Sequence, residues 1–123
     1  MKTIVSDKTP LAIGPYSQAV LKNGMLFVSG QIGLDPETNE LESGFIKQAN
    51  RIFTNLANIL EAAELGISSI VKVTIFIKDL NRFNELNSIY ESYFDTPFPA
   101  REVVEISNLP KKAELEISVI AMR

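Results

Sequence analysis

Two charged residues stand where chemistry is possible. Arg101 begins the apolar-rich run of "FPAREVVEI" (98–106), directly after a Phe-Pro-Ala lead-in. Its planar guanidinium can grip a carboxylate through two parallel hydrogen bonds, which a lysine cannot reproduce. The plainer reading is a strand-start arginine paired with Glu105 or Glu116, and pattern alone favours it, because surface ion pairs are common and weak. Glu116 sits in the alternating run "AELEISVIA" (113–121). A carboxylate near a cationic anchor suits a general base or a water-positioning group. Its plainer reading is a solvated strand glutamate, and Glu114, of the same type and on the same face, is assigned no role.

Weaker signals surround these two. Tyr16 follows "IGP" in a loop, where its hydroxyl could donate to a ligand oxygen or its ring simply pack the loop. Ser29 and Gly30 end an apolar run, and the glycine either admits a ligand close to the backbone or marks a bulge. Asn87 lies beside the apolar stripe of a helix and either supports a site or faces water.

The absences narrow the chemistry. The 123 residues contain no Cys and no His, which excludes disulfides, thiolate nucleophiles, Ser-His-Asp triads and zinc sites built on those ligands. Asp, Glu, Lys and Tyr remain as acids or bases. No phosphate-cradling glycine pattern is present, and neither a cofactor nor a metal is expected. A net charge of −3 and a lone Lys111-Lys112 pair argue against nucleic acid as a partner. Apolar runs are short and interrupted, so no membrane span is expected. "MKTIVSDKTP" lacks the apolar stretch of a secretory leader, and the cytoplasm is the expected compartment.

These residues must be positioned by a single domain spanning residues 1–123, the commonest domain size. A short strand is expected at 3–6. Asn23-Gly24, flanked by apolar residues, predicts a tight hairpin. From 43 to 65 the apolar positions Phe45, Ala49, Ile52, Phe53, Leu56, Ile59, Leu60 and Ala63 fall at helical spacing, and Gly66 stands where a terminating glycine belongs. "IVKVTIFIK" (70–78) is a β-branched strand. Asp79 or Asn81 can cap a second helix that buries Phe83, Leu86, Tyr90 and Tyr93 or Phe94. Two strands complete a β-β-β-α-β-α-β-β order. This predicts an α+β sandwich with about six strands in a mixed sheet and both helices on one face.

The faces of the last two strands follow if those strands pair with each other. Val104 and Ile106 would then lie under the helices with Leu115, Ile117 and Val119. Arg101, Val103 and Glu105 would share the opposite face with Glu116. By the same parity Glu102 would face the helices, so either that edge is open or the strand starts later. The uncovered face carries Val103 and Ile120, and "MLFV" is apolar on both sides, which predicts self-association.

Five segments in register, "AIGPYSQAV", "VSGQI", "IVKVTIFIKDL", "PAREVVEISNLP" and "ELEISVIA", resemble the Rid family, also called the YjgF or L-PSP family of reactive-intermediate imine deaminases. The resemblance covers nearly the whole chain. It implies a chorismate-mutase-like fold assembled as a homotrimer with ligand clefts between subunits. It implies a carboxylate grip by Arg101 and a catalytic role for Glu116. Substrate contacts would come from Tyr16, Ser29, Gly30, Asn87 and Val103. The implied reaction is hydrolysis of 2-iminopropanoate and 2-iminobutanoate, or their enamine tautomers, to 2-oxo acids and ammonia. A non-enzymatic trimer that binds small carboxylates or regulates a partner is the alternative. A third reading, the endoribonuclease or translation inhibitor reported for some members, is opposed by the missing histidine and the acidic charge. The chain departs from the family's usual "PARSCVEV": Glu102 replaces its serine and Val103 its cysteine. Valine preserves a backbone contribution but not a thiol's.

Overall fold

A computed structural model describes residues 1–123. The chain begins with strand β1 (Lys2–Ile4), then the hairpin of β2 (Ala19–Lys22) and β3 (Met25–Gln31). Lys22 faces Met25 across a two-residue turn in which Asn23 and Gly24 take φ of 52° and 77°. That is the left-handed pair a tight hairpin requires, and it matches the right-handed twist of the strands.

Helix α1 (Phe45–Ala62) buries seven of the eight apolar positions expected between 45 and 63, and the eighth, Ala63, is buried just past its end. Its end differs from expectation. Gly66 has an extended φ of −139° and belongs to the next turn. The left-handed residue is Glu64, at φ 60°. There the Leu65 N–H reaches back to the Leu60 carbonyl at 2.9 Å, closing the wide turn that satisfies a terminal carbonyl. Strand β4 (Ile70–Ile77) follows, and Asp79 then caps a short turn, its carboxylate accepting from the Asn81 N–H at 3.0 Å. Helix α2 (Phe83–Tyr93) buries Leu86 and Tyr90, with Phe94 just beyond its end. Strands β5 (Ala100–Glu105) and β6 (Leu115–Met122) complete the chain.

The six strands form one mixed sheet in the order β1-β2-β3-β6-β4-β5. Strand β6 is inserted between β3 and β4 and runs antiparallel to both, whereas β5 is a parallel edge strand on β4. The β5–β6 pairing assumed for those faces is therefore not made. The chain leaves β4, crosses over through α2 and returns parallel, because a helix between two strands favours this connection over a hairpin. One core joins Ala49, Ile52, Phe53, Leu56 and Leu86 from the helices to Val73, Ile75, Ile77, Leu115, Ile117 and Val119 from the sheet. Both helices lie on this face. The other face is uncovered and carries Phe27, Lys72, Thr74, Ser118 and Ile120. No helix is long and apolar enough to cross a membrane.

Two ties fix the approach of the loops to the sheet. Gln48 of α1 donates to the Glu42 carbonyl at 3.0 Å and accepts from the Glu114 N–H at 2.8 Å, joining the start of α1 to the start of β6. Gly33 packs directly on Gln48: a Cβ there would lie 2.6 Å from the Gln48 Cα and 2.7 Å from its carbonyl oxygen. Backbone would have to move, so Gly33→Ala is expected to lower stability in urea denaturation by about 1–3 kcal/mol. Gly66→Ala meets nothing within 4 Å in extended backbone and should stay within about 0.5 kcal/mol of wild type or exceed it. A clear loss at Gly66 would restore it as the left-handed terminator of α1.

Candidate functional site in two halves

Glu116 alternates away from Leu115 and Ile117, which places it on the uncovered face as expected. Its side chain passes over Gly30, where an added Cβ would sit 2.7 Å from the Glu116 Cδ and 2.8 Å from Oε2. A side chain at position 30 would therefore push the Glu116 carboxyl out of its present place. Around them a cavity of about 320 Å³ is lined by Leu11, Ile13, Tyr16, Gly30, Lys111 and Glu116, among others. Burial pushes the Glu116 carboxyl above its ordinary value.

Buried polar groups hold the Tyr16 loop over this cavity. Gln18 accepts from the Ser6 N–H at 2.8 Å and donates to the Pro10 carbonyl at 2.9 Å. The Ser29 hydroxyl donates to the Ser17 carbonyl at 2.6 Å. Ser29 therefore anchors the segment beside Tyr16 and does not itself line the cavity. Leu11, Ile13 and Lys111 were not foreseen as lining residues. They lie in loops with no periodic pattern, and no sequence signal marks them.

Arg101 occupies a different place. Register pairs it with Val73, and pairs Val103 with Ile75, so both point to the helical side. This overturns the expectation that Arg101 shares the uncovered face with Glu116; β4 lies between their strands, and the two side chains open on opposite faces. Val104, expected under the helices, is instead 43% exposed. Glu102 is on the uncovered side at the open edge. Hydrogen bonding to Lys72, with an N–O distance of 3.0 Å, holds its carboxyl below the usual value.

The guanidinium of Arg101 lies over two aromatic rings. Its Cζ is 4.7 Å from the Tyr90 ring centre and 5.5 Å from that of Phe83. Such contact attracts the cation without consuming its N–H donors. None of the chain's five salt bridges involves Arg101, so the ion pair with Glu105 or Glu116 is not formed. Arg101 lines a second cavity of about 310 Å³ with Asn87, Tyr90, Glu91, Phe98 and Pro99. Phe83, Asn87 and Tyr90 follow at helical spacing along α2, which brings them to one stripe. Val103 lines neither cavity; its side chain packs against the core. No group of three or more Asp or Glu side chains is placed to hold a metal.

The raised Glu116 value carries a sign that can be tested. The folded chain binds the Glu116 proton more tightly than the unfolded chain. Its contribution to stability is complete below the ordinary glutamate value of 4.5 and is lost as pH rises through the higher folded value. Subtracting Glu116→Gln from wild type in urea titrations from about pH 4 to about pH 8 should leave that falling component. A difference that rises with pH would mean the carboxylate is stabilised where it lies.

Comparison with known proteins agrees with this architecture. Residues 6–123 match the family model described as endoribonuclease L-PSP. A RutC family protein of Aquifex aeolicus is 50% identical, with both chains covered completely. The 2-iminobutanoate/2-iminopropanoate deaminase of Escherichia coli is 44% identical over 99% of this chain and 98% of its own. The crystal structure of E. coli TdcF with bound serine superposes with a TM-score of 0.95 at 40% identity, covering 100% of this chain and 99% of that one. With a full-length match in sequence and in the mixed six-stranded fold, the chain belongs to the YjgF/Rid family, also known as L-PSP.

Proposed function

We propose that this protein hydrolyses 2-iminopropanoate and 2-iminobutanoate, with their enamine tautomers, to pyruvate or 2-oxobutanoate and ammonia. The observation that carries the reading is the unpaired guanidinium of Arg101, laid on Tyr90 and Phe83 at a cavity. An arginine held over aromatic rings, with no carboxylate partner in its own chain, suits a carboxylate that arrives from outside. The naming of the E. coli relative as an imino-acid deaminase supports the same choice, as does the serine bound by TdcF, a small molecule with a carboxylate.

Arg101 and Glu116 do not meet within one chain, so the reading requires association. We propose a homotrimer in which the Arg101 half of one subunit adjoins the Glu116 half of the next. The uncovered sheet face supports it: Phe27 is 41% exposed and Val104 43%, an apolar surface that gains from being covered. In the joined cleft Arg101 and Asn87 hold the substrate's carboxylate end, and Tyr16 and the backbone at Gly30 border the imine carbon. Glu116 takes a proton from a water as its oxygen bonds to C2. With the imine entering protonated, Glu116 returns that proton to the nitrogen of the carbinolamine, the C–N bond breaks to release ammonia, and the hydroxyl proton passes back to Glu116 as the carbonyl of the 2-oxo acid forms. An imine is already an activated electrophile, so positioning and modest proton transfer suffice. Val103 contributes through its backbone at the open edge of β5, for which a cysteine thiol is not needed.

The test generates 2-iminobutanoate with a threonine dehydratase, traps residual imine with semicarbazide and follows release of 2-oxobutanoate. Wild type should accelerate release. Arg101→Ala should lower kcat/KM by about 100-fold, and Arg101→Lys should stay about tenfold impaired because one ammonium cannot replace the fork. A fully active Arg101→Ala removes the carboxylate grip. A wild type without effect leaves a carboxylate-binding protein in place of an enzyme. A stable monomer in sedimentation would remove the shared cleft.

A further inference from the structure

The turn before β6 has an unfavourable backbone. Lys111 and Lys112 follow one another at φ of 57° and 58°, the left-handed region that residues with a Cβ avoid. Glycine or asparagine would meet this backbone at lower cost. The turn is secured by the Lys112 N–H on the Leu109 carbonyl and the Ala113 N–H on the Pro110 carbonyl, both at 3.1 Å. Strain of this kind clusters at ligand sites, and here Lys111 lines the Glu116 cavity. Its ammonium donates to the carbonyl of Asn39, at 3.4 Å, and Asn39 lines the same cavity. None of the chain's five salt bridges includes Lys111. Glu116 is the only other charged residue on a wall that is otherwise largely apolar. At about 320 Å³ the cavity has room for about ten waters of about 30 Å³ each, more than a methyl or ethyl side chain on C2 fills.

We infer that Lys111 is a specificity-determining residue: its ammonium binds a second carboxylate, at the end of the substrate's side chain, and extends the substrate class to 2-imino dicarboxylates such as 2-iminosuccinate and 2-iminoglutarate. This inference rests on the proposed hydrolysis, with Arg101 of a neighbouring subunit on the C1 carboxylate and Glu116 at C2. A lysine is a point charge on a flexible stem, with three donors. It suits a carboxylate whose distance from C2 varies by a methylene, whereas the rigid fork of Arg101 suits the end that every such substrate shares. The reaction is unchanged: water adds at C2, ammonia leaves, and 2-iminoglutarate gives 2-oxoglutarate.

The test compares two probes that bind without turning over, 2-oxoglutarate and 2-oxobutanoate, by calorimetry on wild type, Lys111→Gln and Lys111→Arg. The probes share the 2-oxo acid end, and only 2-oxoglutarate has a second carboxylate. Lys111→Gln should weaken 2-oxoglutarate by about fivefold and leave 2-oxobutanoate within about twofold of wild type, as for an ion pair open to water. Lys111→Arg should restore most of the loss. Raising salt from about 50 to about 500 mM should weaken 2-oxoglutarate binding more in wild type than in Lys111→Gln. The same split should appear in kcat/KM for 2-iminoglutarate against 2-iminobutanoate. Equal losses for both probes in Lys111→Gln, or no loss for either, overturn the inference, while 2-oxobutanoate binding and 2-iminobutanoate hydrolysis by wild type leave the proposed enzyme standing. A wild type that neither binds 2-oxobutanoate nor accelerates 2-iminobutanoate hydrolysis overturns both.

Discussion

The last strand, β6, determines what the rest of the chain can do. It is inserted between β3 and β4 and hydrogen-bonded to both, so every other strand is positioned relative to it. Its strict alternation sends Leu115, Ile117, Val119 and Ala121 into the core and Glu116 to the opposite face. A slip of one residue would exchange these sets, burying a carboxylate under the helices and exposing four apolar side chains. The cost of that exchange pins the register. The same alternation explains Gly30. The neighbouring strand leaves space where the Glu116 side chain crosses it, and the irregular pairing of β3 with β6 between Val28 and Gln31 falls at that place.

A sheet with one covered face divides the charged residues between two environments. Glu116 lies on the uncovered side, partly desolvated and roofed by the Tyr16 loop. Arg101 lies at the edge on the helical side, carried by the aromatic stripe of α2. Neither half contains the other's charge, and no salt bridge within the chain involves Arg101 or Glu116. An intramolecular Arg101–Glu116 pair would be a modest surface ion pair and would occupy the groups a ligand needs. Separation keeps the cation unpaired and the carboxyl easily protonated, a combination suited to holding a carboxylate at one end and moving a proton at the other.

The sequence spoke most clearly where burial is one-sided. Through α1 and its end the eight apolar positions read at helical spacing are all buried, and Asn23-Gly24 marked the hairpin turn. Glu116 could be placed because β6 alternates cleanly. Strand β5 does not alternate: Val103 and Val104 are adjacent, and charges at 102 and 105 fall on both faces. An edge strand with little burial tolerates such a pattern, so parity there gave Arg101 and Val104 the wrong sides. A signal was nevertheless available, because β4, α2 and β5 form a strand–helix–strand unit and such units return parallel. Tyr90 and Phe83 were read as core from their spacing. That they also carry Arg101 depends on where β5 lies, which pattern alone does not reveal. Gly66 misled for a related reason: glycine prefers the left-handed turn, but Glu64 occupies it.

In the proposed trimer one working site takes Arg101 from one subunit and Glu116 from another. Mixing separately inactive Arg101→Ala and Glu116→Ala chains, unfolded and refolded together, tests it directly in the imine-hydrolysis assay. In randomly mixed rings about a quarter of the shared clefts would hold an intact arginine and an intact glutamate. The equimolar mixture should therefore recover about a quarter of wild-type activity. A mixture as inactive as its two components, despite demonstrated mixed assembly, would contradict a site divided between subunits.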